Sequence, residues 1–320
     1  MAGAGKHRQP LSNERIKADK FYTSKLTDMK ARKLKAVKPC VHIVEKVLLN
    51  PYNPIIVNLI GAGGTGSQFL TALGRMNHAL MELHHPGLMV RVFDDDNVEP
   101  ANLGRQLFTT AELGMYKAVA LVSRINLFFG TNWKAITERY NRETILADPE
   151  LRMAEFTVSC VDTVSARFEI AELLMGLDKR VTYTRNRPLY WMDFGNSKDT
   201  GQVLLATLTK IEQPESKRFE VVNSLPLVTD EFGELLKQSE TTDNTPSCSL
   251  ADALGKQDLF INSALANLGA SLLWQMFREG MLFNRGFFLN LKAFRATPIK
   301  VNAVAPEIKM KPRTNHSKVA

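Results

Sequence analysis

Residues 55–117 constrain the fold more than any other part of the chain, because they combine a strand, a glycine turn, a helix and a second strand. The run Ile55–Ile60 is short and mostly apolar, the pattern of a strand that a parallel sheet buries on both faces. A glycine-rich turn at 61–66 leads into helical spacing of apolar residues at 67–80, and a second apolar run follows at 88–93. This order predicts an α/β fold with a Rossmann-like, doubly wound and mostly parallel sheet.

The glycine turn and the acids that follow the second strand together predict a nucleotide site. Four glycines form the pattern G-x-G-G-x-G: Gly61, Gly63, Gly64 and Gly66. They permit a tight turn and a close approach to a ligand, and the N-terminus of the next helix offers free N–H groups to a phosphate. Asp94 directly follows the second strand, where an acid hydrogen-bonds a ribose hydroxyl. The alternative is a packing turn that binds no ligand.

The loop after these acids distinguishes between nucleotides. It carries Asn102, Arg105 and Gln106, and Lys117 follows at the start of the next predicted helix. A NAD site needs a ribose acid and a pyrophosphate cradle, whereas a triphosphate carries further negative charge that must be neutralised. The loop therefore favours a triphosphate. A NAD-dependent oxidoreductase is the alternative, and it leaves these four residues unexplained.

Four short patterns in this order resemble the ThiF/MoeB superfamily, the adenylating domain of ubiquitin-activating enzymes. They are G-x-G-G-x-G from Gly61, D-x-D from Asp94, N-L-x-R-Q from Asn102 and G-x-x-K-A from Gly114. The resemblance covers residues 50–295 and is strongest to the ThiF-type members of PRTRC gene systems. It implies a homodimer, an antiparallel extension of the sheet with a long closing helix, and ATP-dependent adenylation of a C-terminal carboxylate. The substrate implied is a small ubiquitin-like or sulfur-carrier protein.

The same resemblance assigns the polar residues to ATP. Asp94 binds the ribose, and Asp96 belongs to the same pattern. Charge on the triphosphate would be neutralised by Asn102, Arg105 and Lys117, of which Arg105 and Lys117 are candidate catalytic residues. Gln106 would support the loop.

A further carboxylate, Asp162, follows another predicted buried strand at 156–161. An acid at the C-terminal end of a parallel strand lies at the ligand crevice of such sheets. Asp162 matches the aspartate of the superfamily's D-x-x-x-x-R pattern, which holds magnesium on the triphosphate. Mg²⁺ needs only one or two carboxylates beside phosphate oxygens. The alternative is that Asp162 caps a helix beginning near Ser165.

The chain has three cysteines, Cys40, Cys160 and Cys248, and no C-x-x-C pair. This sparse, odd set argues against a disulfide framework and a structural zinc site. Cys160 falls on a predicted buried strand, so we interpret it as structural. Cys248 lies in a loop ahead of the closing helix, and the resemblance makes it a candidate catalytic cysteine that forms a thioester. The alternative is a bystander thiol.

The first 50 residues contain twelve Lys or Arg and four Asp or Glu, a net charge of +8. This equals the net charge of the whole chain. A basic arm on a neutral body can contact nucleic acid or an acidic protein. A solvated, partly disordered leader is the favoured interpretation. We therefore expect a basic extension at 1–48, an adenylation domain at 49–300 and a basic tail at 301–320.

The sequence shows neither an apolar signal core nor an apolar stretch of membrane-spanning length. We expect a cytoplasmic protein without a membrane segment. Besides the oxidoreductase, one alternative remains from another functional class. It is a non-catalytic adaptor that keeps the fold and uses its basic arm to bind DNA or a protein.

Overall fold

A mixed β-sheet organises the fold in the computed structural model, which describes residues 38–176, 187–239 and 257–302. The strands are β1 (Cys40–Ile43), β2 (Ile55–Ile60), β3 (Leu88–Phe93), β4 (Lys134–Ile136), β5 (Phe156–Ser159), β6 (Tyr190–Asn196), β7 (Thr200–Thr207), β8 (Glu220–Val221), β9 (Met281–Leu282), β10 (Asn284–Asn290) and β11 (Arg295–Lys300). The α-helices are α1 (Gly64–Glu82), α2 (Lys117–Phe129), α3 (Arg142–Ala147), α4 (Val164–Met175), α5 (Val228–Glu231), α6 (Gly233–Ser239) and α7 (Ile261–Glu279).

Eight of the described strands form one sheet in the order β11-β10-β7-β6-β5-β2-β3-β4. The pairs from β4 to β6 are parallel, and those from β6 to β11 are antiparallel. The chain passes from β2 to β3 on one side and later returns to place β5 on the other, so the strand order reverses beside β2. The predicted fold class is confirmed: a doubly wound parallel sheet carries an antiparallel extension, and α7 is the long closing helix.

Helices cover both faces of this sheet, as a parallel sheet requires for its apolar strands. On one face, α1 and α7 pack together and bury Phe69 and Leu265 against the strands. On the other face, α4 buries Ile170 against Trp191 of β6. These two layers hold the ends of β2, β3 and β5 in fixed relative positions.

A smaller sheet, β8-β1-β9, joins residues 40–43 to the fold. His42 of β1 is fully buried, and its Nδ1 lies 2.7 Å from the carbonyl oxygen of Val222. Its Nε2 lies 2.9 Å from the hydroxyl of Tyr190. Burial lowers the pKa of His42, so a neutral ring fits these two contacts. The compact unit that contains the sheet begins at Cys40, while the domain boundaries at 48/49 and 300/301 remain predictions.

Helix α1 begins at Gly64, three residues before the predicted helical segment. Gly-Thr-Gly carries no apolar side chain, so the hydrophobic spacing of the sequence does not reveal its first turn. Among the helices of the described ranges, none has both the length and the apolar character that a membrane crossing requires.

Candidate functional site

A cavity of about 580 Å³ opens at the carboxyl ends of β2, β3 and β5. This is the point at which the strand order reverses, where doubly wound sheets bind their ligands. Its volume lies in the usual range for small-molecule sites. Nine of the predicted site residues line it: Gly61, Gly63, Gly64, Asp94, Asp96, Arg105, Gln106, Lys117 and Asp162. Gly66 and Asn102 are not among its lining residues, and Cys248 lies outside the described part of the chain.

The glycines of the turn serve different purposes. Gly61 has a φ of 90°, and a Cβ there would lie 2.8 Å from the carbonyl oxygen of Cys160. A Cβ on Gly66 would lie 1.9 Å from the carbonyl oxygen of Gly61, so the packing of the turn against α1 requires this glycine. At Gly63 the nearest atom to an added Cβ is Nε2 of Gln106, at an ordinary contact distance of 3.9 Å. Gly63 therefore keeps space open in the cavity without being required by the fold.

The N-terminus of α1 lies at the same wall, because Gly64 and Thr65 line the cavity. Gly63 is the N-cap residue and supplies no capping side chain. The N–H groups of the first helical turn are therefore without a capping acceptor from this residue, and together with the helix dipole they favour a bound anion.

Asp94 supports the turn and faces the cavity. Its Oδ2 accepts a hydrogen bond of 2.6 Å from the backbone N–H of Ala62, and its Oδ1 accepts one of 3.1 Å from the backbone N–H of Asp96. Burial raises the pKa of Asp94, and the hydrogen bond from Ala62 opposes this only in part. The carboxylate thus ties the end of β3 to the glycine turn beside β2.

Lys117 is held by an acid rather than left free. Its Nζ donates to Oδ2 of Asp96 at 2.7 Å, and the backbone N–H of Lys117 also donates to the Asp96 carbonyl. The Lys117 side chain is 9% exposed, whereas that of Asp96 is 64% exposed. A ligand that enters the cavity would therefore meet the Lys117 ammonium and the Asp96 carboxylate as one unit.

The loop before α2 places Arg105 and Gln106 on the cavity wall. Nη1 of Arg105 donates to Oε1 of Gln257 at 2.8 Å, and burial lowers the pKa of Arg105. Within the described residues, Nε of Arg105 and Oε1 of Gln106 are buried without a hydrogen-bond partner. Since buried polar groups usually have partners, these two atoms are available to a bound ligand.

The Asn102 side chain bonds within its own loop. Its Oδ1 accepts a hydrogen bond from the backbone N–H of Glu99 at 2.8 Å, and its carbonyl accepts one from that of Gln106 at 2.9 Å. These bonds fasten the 3-10 turn Pro100–Asn102 and the loop after it. In this conformation Asn102 shapes the loop that presents Arg105, and its contact with phosphate stays a prediction.

Asp162 is exposed at the cavity wall after β5. The N-cap of α4 is Thr163, whose hydroxyl accepts a hydrogen bond from the backbone N–H of Ala166. Thr163 therefore caps α4, and the alternative that Asp162 serves only as the helix cap is wrong. The described residues contain no cluster of three or more His, Cys, Asp or Glu side chains that would hold a metal unaided. A cation here would need ligand oxygens as well, which is the usual state of Mg²⁺.

Arg167 fixes the loop that carries Asp162. Its Nη2 donates to the carbonyl of Val161 at 2.7 Å, and its Nη1 donates to that of Thr163 at 3.3 Å. Its Nε lies 3.2 Å from Oδ2 of Asp193, a fully buried acid on β6. The D-x-x-x-x-R pattern could have identified this residue, but only the structure shows that it binds both neighbours of Asp162.

A buried amide on α7, Asn262, lines the cavity beside the glycine turn and was missed by the sequence interpretation. It bonds to Thr65, Asn196 and Gln257. A signal was present, because Asn262 falls on the apolar stripe of α7 one turn before Leu265. A polar residue in that position must find partners inside the protein.

Cys160 lines the cavity. Burial raises the pKa of the Cys160 thiol well above its ordinary value, which disfavours the reactive thiolate. The sequence placed Cys160 on a buried strand, whereas it lies one residue after β5 and the residue as a whole is only partly buried, so its structural role stays a prediction. The assignment of Cys248 remains a prediction.

Comparison with known proteins gives a consistent picture. A model of the family described as "ThiF family" matches residues 53–307. Ubiquitin-like modifier-activating enzyme 5 of Aedes aegypti is 29% identical over an alignment that covers 36% of this chain and 29% of that protein. The alignment thus spans less than a third of this curated relative.

Solved structures share the fold at low sequence identity. The crystal structure of PaaA superimposes with a TM-score of 0.51 at 13% identity, over 92% of this chain and 86% of PaaA. Escherichia coli MccB gives a TM-score of 0.50 at 14% identity, over 80% of this chain and 64% of MccB. At such identities the likeness is one of fold.

Proposed function

Because this chain belongs to the ThiF family, we propose that it catalyses ATP-dependent adenylation of the C-terminal carboxylate of a small ubiquitin-like or sulfur-carrier protein. The observation that carries this proposal is the convergence of the glycine turn, Asp94, Arg105, Lys117 and Asp162 on one cavity. These groups come from separate parts of the chain. Their joint placement at the switch point of the sheet favours a nucleotide ligand over a packing turn.

The residues present fit a nucleoside triphosphate. The first-turn N–H groups of α1 and the open space at Gly63 would take phosphate oxygens, and Asp94 would take the ribose. Arg105 and Lys117 would neutralise the remaining charge, with the unpartnered Nε of Arg105 available as a donor. Asp162 would hold Mg²⁺, which supplies charge neutralisation for the leaving pyrophosphate.

The reaction asks for positioning and electrostatics rather than covalent catalysis. A carboxylate oxygen of the carrier attacks the α-phosphorus, the bond from that phosphorus to the α,β-bridging oxygen breaks, and pyrophosphate leaves with the electron pair. Negative charge shifts to the leaving oxygens. Arg105 and Lys117, fixed before the substrate arrives by Gln257 and Asp96, would stabilise that charge with little reorganisation.

The relative from Aedes aegypti supports the substrate class, since its name describes activation of a ubiquitin-like modifier. The carrier, a homodimer, membership of the PRTRC subtype and a cytoplasmic location are parts of the proposal. A thioester on Cys248 is a further part of the proposal, whereas a nucleic-acid contact by the basic arm is not the favoured interpretation.

The proposal is tested by calorimetric titration of the purified protein with Mg·ATP and, separately, with NAD. We expect Mg·ATP to bind and Arg105→Ala to weaken it by roughly tenfold or more, the loss of a hydrogen bond to a charged group. Binding of NAD alone would favour the oxidoreductase. Binding of neither ligand would favour the non-catalytic adaptor.

The two glycines Gly63 and Gly66 separate binding from folding. We expect Gly63→Ala to unfold at nearly the wild-type temperature but to lose ATP affinity, because its methyl group enters open cavity space. We expect Gly66→Ala to be strongly destabilised, because its methyl group would overlap the carbonyl of Gly61. Thermal unfolding and ATP titration of both variants provide the measurement. Wild-type affinity in folded Gly63→Ala would contradict the placement of the phosphates.

A further inference from the structure

Asn262 is an interior amide that joins three other parts of the chain. It is 2% exposed. Its Oδ1 accepts hydrogen bonds from the Thr65 hydroxyl at 2.9 Å and from the Asn196 amide at 2.8 Å. Its Nδ2 donates to Oε1 of Gln257 at 3.0 Å, and that oxygen also accepts from Nη1 of Arg105. We call Asn262, Gln257, Thr65 and Asn196 the amide network.

The direction of every bond in the amide network follows from Arg105. A guanidinium group has donors and no acceptor, so the Gln257 atom that faces it must be the oxygen. The Asn262 atom that faces this oxygen must then be the NH₂ group, which leaves the Asn262 oxygen for Thr65 and Asn196. Replacing the NH₂ donor of Asn262 by an acceptor would therefore alter the hydrogen bond between Gln257 and Arg105. Asn262 and Arg105 are 157 positions apart in the sequence.

The Asn262 side chain packs directly against the backbone of the glycine turn at Gly64. A Cβ on Gly64 would lie 2.5 Å from Nδ2 of Asn262, so the glycine turn and α7 approach each other more closely here than a side chain on Gly64 would allow. The amide network thus connects Thr65, in the first turn of α1, to the guanidinium of Arg105. Thr65, Arg105, Asn196, Gln257 and Asn262 all line the cavity.

We propose that Asn262 and Gln257 are positioning residues that hold the guanidinium of Arg105 in the orientation in which it binds the phosphate tail of the nucleotide. The inference rests on the proposed function for the identity of the ligand. It adds that the selectivity of this cavity for a triphosphate over a monophosphate depends on two uncharged side chains remote from the signature patterns. Neither side chain needs to touch the nucleotide for this effect.

The test compares Asn262→Asp with the wild type. The substitution keeps the shape and the acceptor for Thr65 and Asn196, but it replaces the donor to Gln257 by an oxygen. Gln257 must then turn its NH₂ group toward the new carboxylate and can no longer accept from Arg105 through the same atom. We expect the affinity for Mg·ATP to fall roughly tenfold or more, while the affinity for AMP changes by less than about twofold.

Controls separate positioning from loss of structure. Asn267→Asp changes an exposed amide of the same helix, which donates to the carbonyl of Ser263, and should leave both affinities unchanged. Asn262→Asp also adds a negative charge to the cavity wall, which by itself would repel ATP more than AMP. The neutral variant Gln257→Leu therefore decides the cause: it should reproduce the selective loss of ATP affinity, and the double variant should lose little more, because both changes act through one bond. Equal losses for ATP and AMP, or additive losses, would overturn the proposal.

A second readout needs no nucleotide. Modification of Arg105 by phenylglyoxal, followed by peptide mass spectrometry, should be several-fold faster in Asn262→Asp than in the wild type and in Asn267→Asp. Equal rates would overturn the positioning role. If the wild type bound neither ATP nor AMP, the proposed function would fail, and the labelling rates would still decide the role of Asn262.

Discussion

Asp162→Asn is expected to remove the magnesium-dependent part of ATP binding and with it carrier-dependent exchange of pyrophosphate. The carboxylate lies exposed at the cavity wall, and the helix after it is capped by Thr163. The substitution therefore leaves the fold intact while it removes the charge that would hold the cation. Removing a residue that only hydrogen-bonds to a metal ligand typically lowers metal affinity 10–100-fold. Removing the ligand Asp162 itself should therefore lower the affinity for magnesium at least roughly tenfold.

The measurement is a pair of ATP titrations, one with magnesium and one with a chelator. The wild type should bind ATP more tightly with magnesium, and Asp162→Asn should bind equally in both. Asp95→Asn is the matched control, because Asp95 also lines the cavity and its Oδ2 lies 3.7 Å from Nε of the exposed Arg139. An unchanged magnesium effect in Asp162→Asn would exclude this residue as the metal ligand.

Arg167→Met is expected to cause a large loss of stability. The Arg167 and Asp193 side chains are 6% and 1% exposed, so removal of the arginine leaves a carboxylate buried without its counter-charge. Breaking a buried pair in this way costs about 3–5 kcal/mol. The carbonyls of Val161 and Thr163 would lose their donor too. The loop that carries Asp162 would then lose its orientation, and ATP affinity should fall as well.

The pH dependence of this variant has a definite sign. Burial raises the pKa of Asp193, and the Arg167 guanidinium opposes that rise. Without Arg167 the pKa of Asp193 in the folded state should rise further above that of the unfolded chain. The folded state then binds the proton more tightly, so the variant should gain stability relative to the wild type as the pH falls from neutral through that pKa.

Urea unfolding at neutral and mildly acidic pH measures both effects. Arg142→Met is the matched control, since Arg142 pairs with Glu172 at 2.8 Å on the surface, with side chains that are 65% and 69% exposed. Exposed pairs of this kind contribute about 0–1 kcal/mol. The contrary result is that Arg167→Met lowers the free energy of unfolding by less than about 1 kcal/mol, which is no more than an exposed pair contributes. That result would show that the fold accommodates Asp193 without its partner.

Local sequence determined the framework that carries the site. The strands Ile55–Ile60 and Leu88–Phe93 have the bounds that their apolar runs predict, and the next helix begins at Lys117 as predicted. Their order places the glycine turn and Asp94 at the same edge of a parallel sheet, because both follow strands that run in one direction. For that reason most of the predicted site residues line one cavity.

The tertiary structure alone decided which contacts hold each of those residues. Gly63 and Gly66 look equivalent in the pattern, yet only the packing against Gly61 shows which of them the fold requires. The hydrogen bonds of Asn102 hold its side chain against its own loop.

The reason for this division is physical. The periodicity of apolar residues reports which face of an element is buried, whereas a polar side chain is oriented by partners that the fold brings in from distant positions. Asn262 is the clearest case, since Thr65 and Asn196 reach it from two other elements of the fold. Nothing in the residues around Asn262 reveals those two contacts, because they exist only once α7 has packed against α1 and the end of β6.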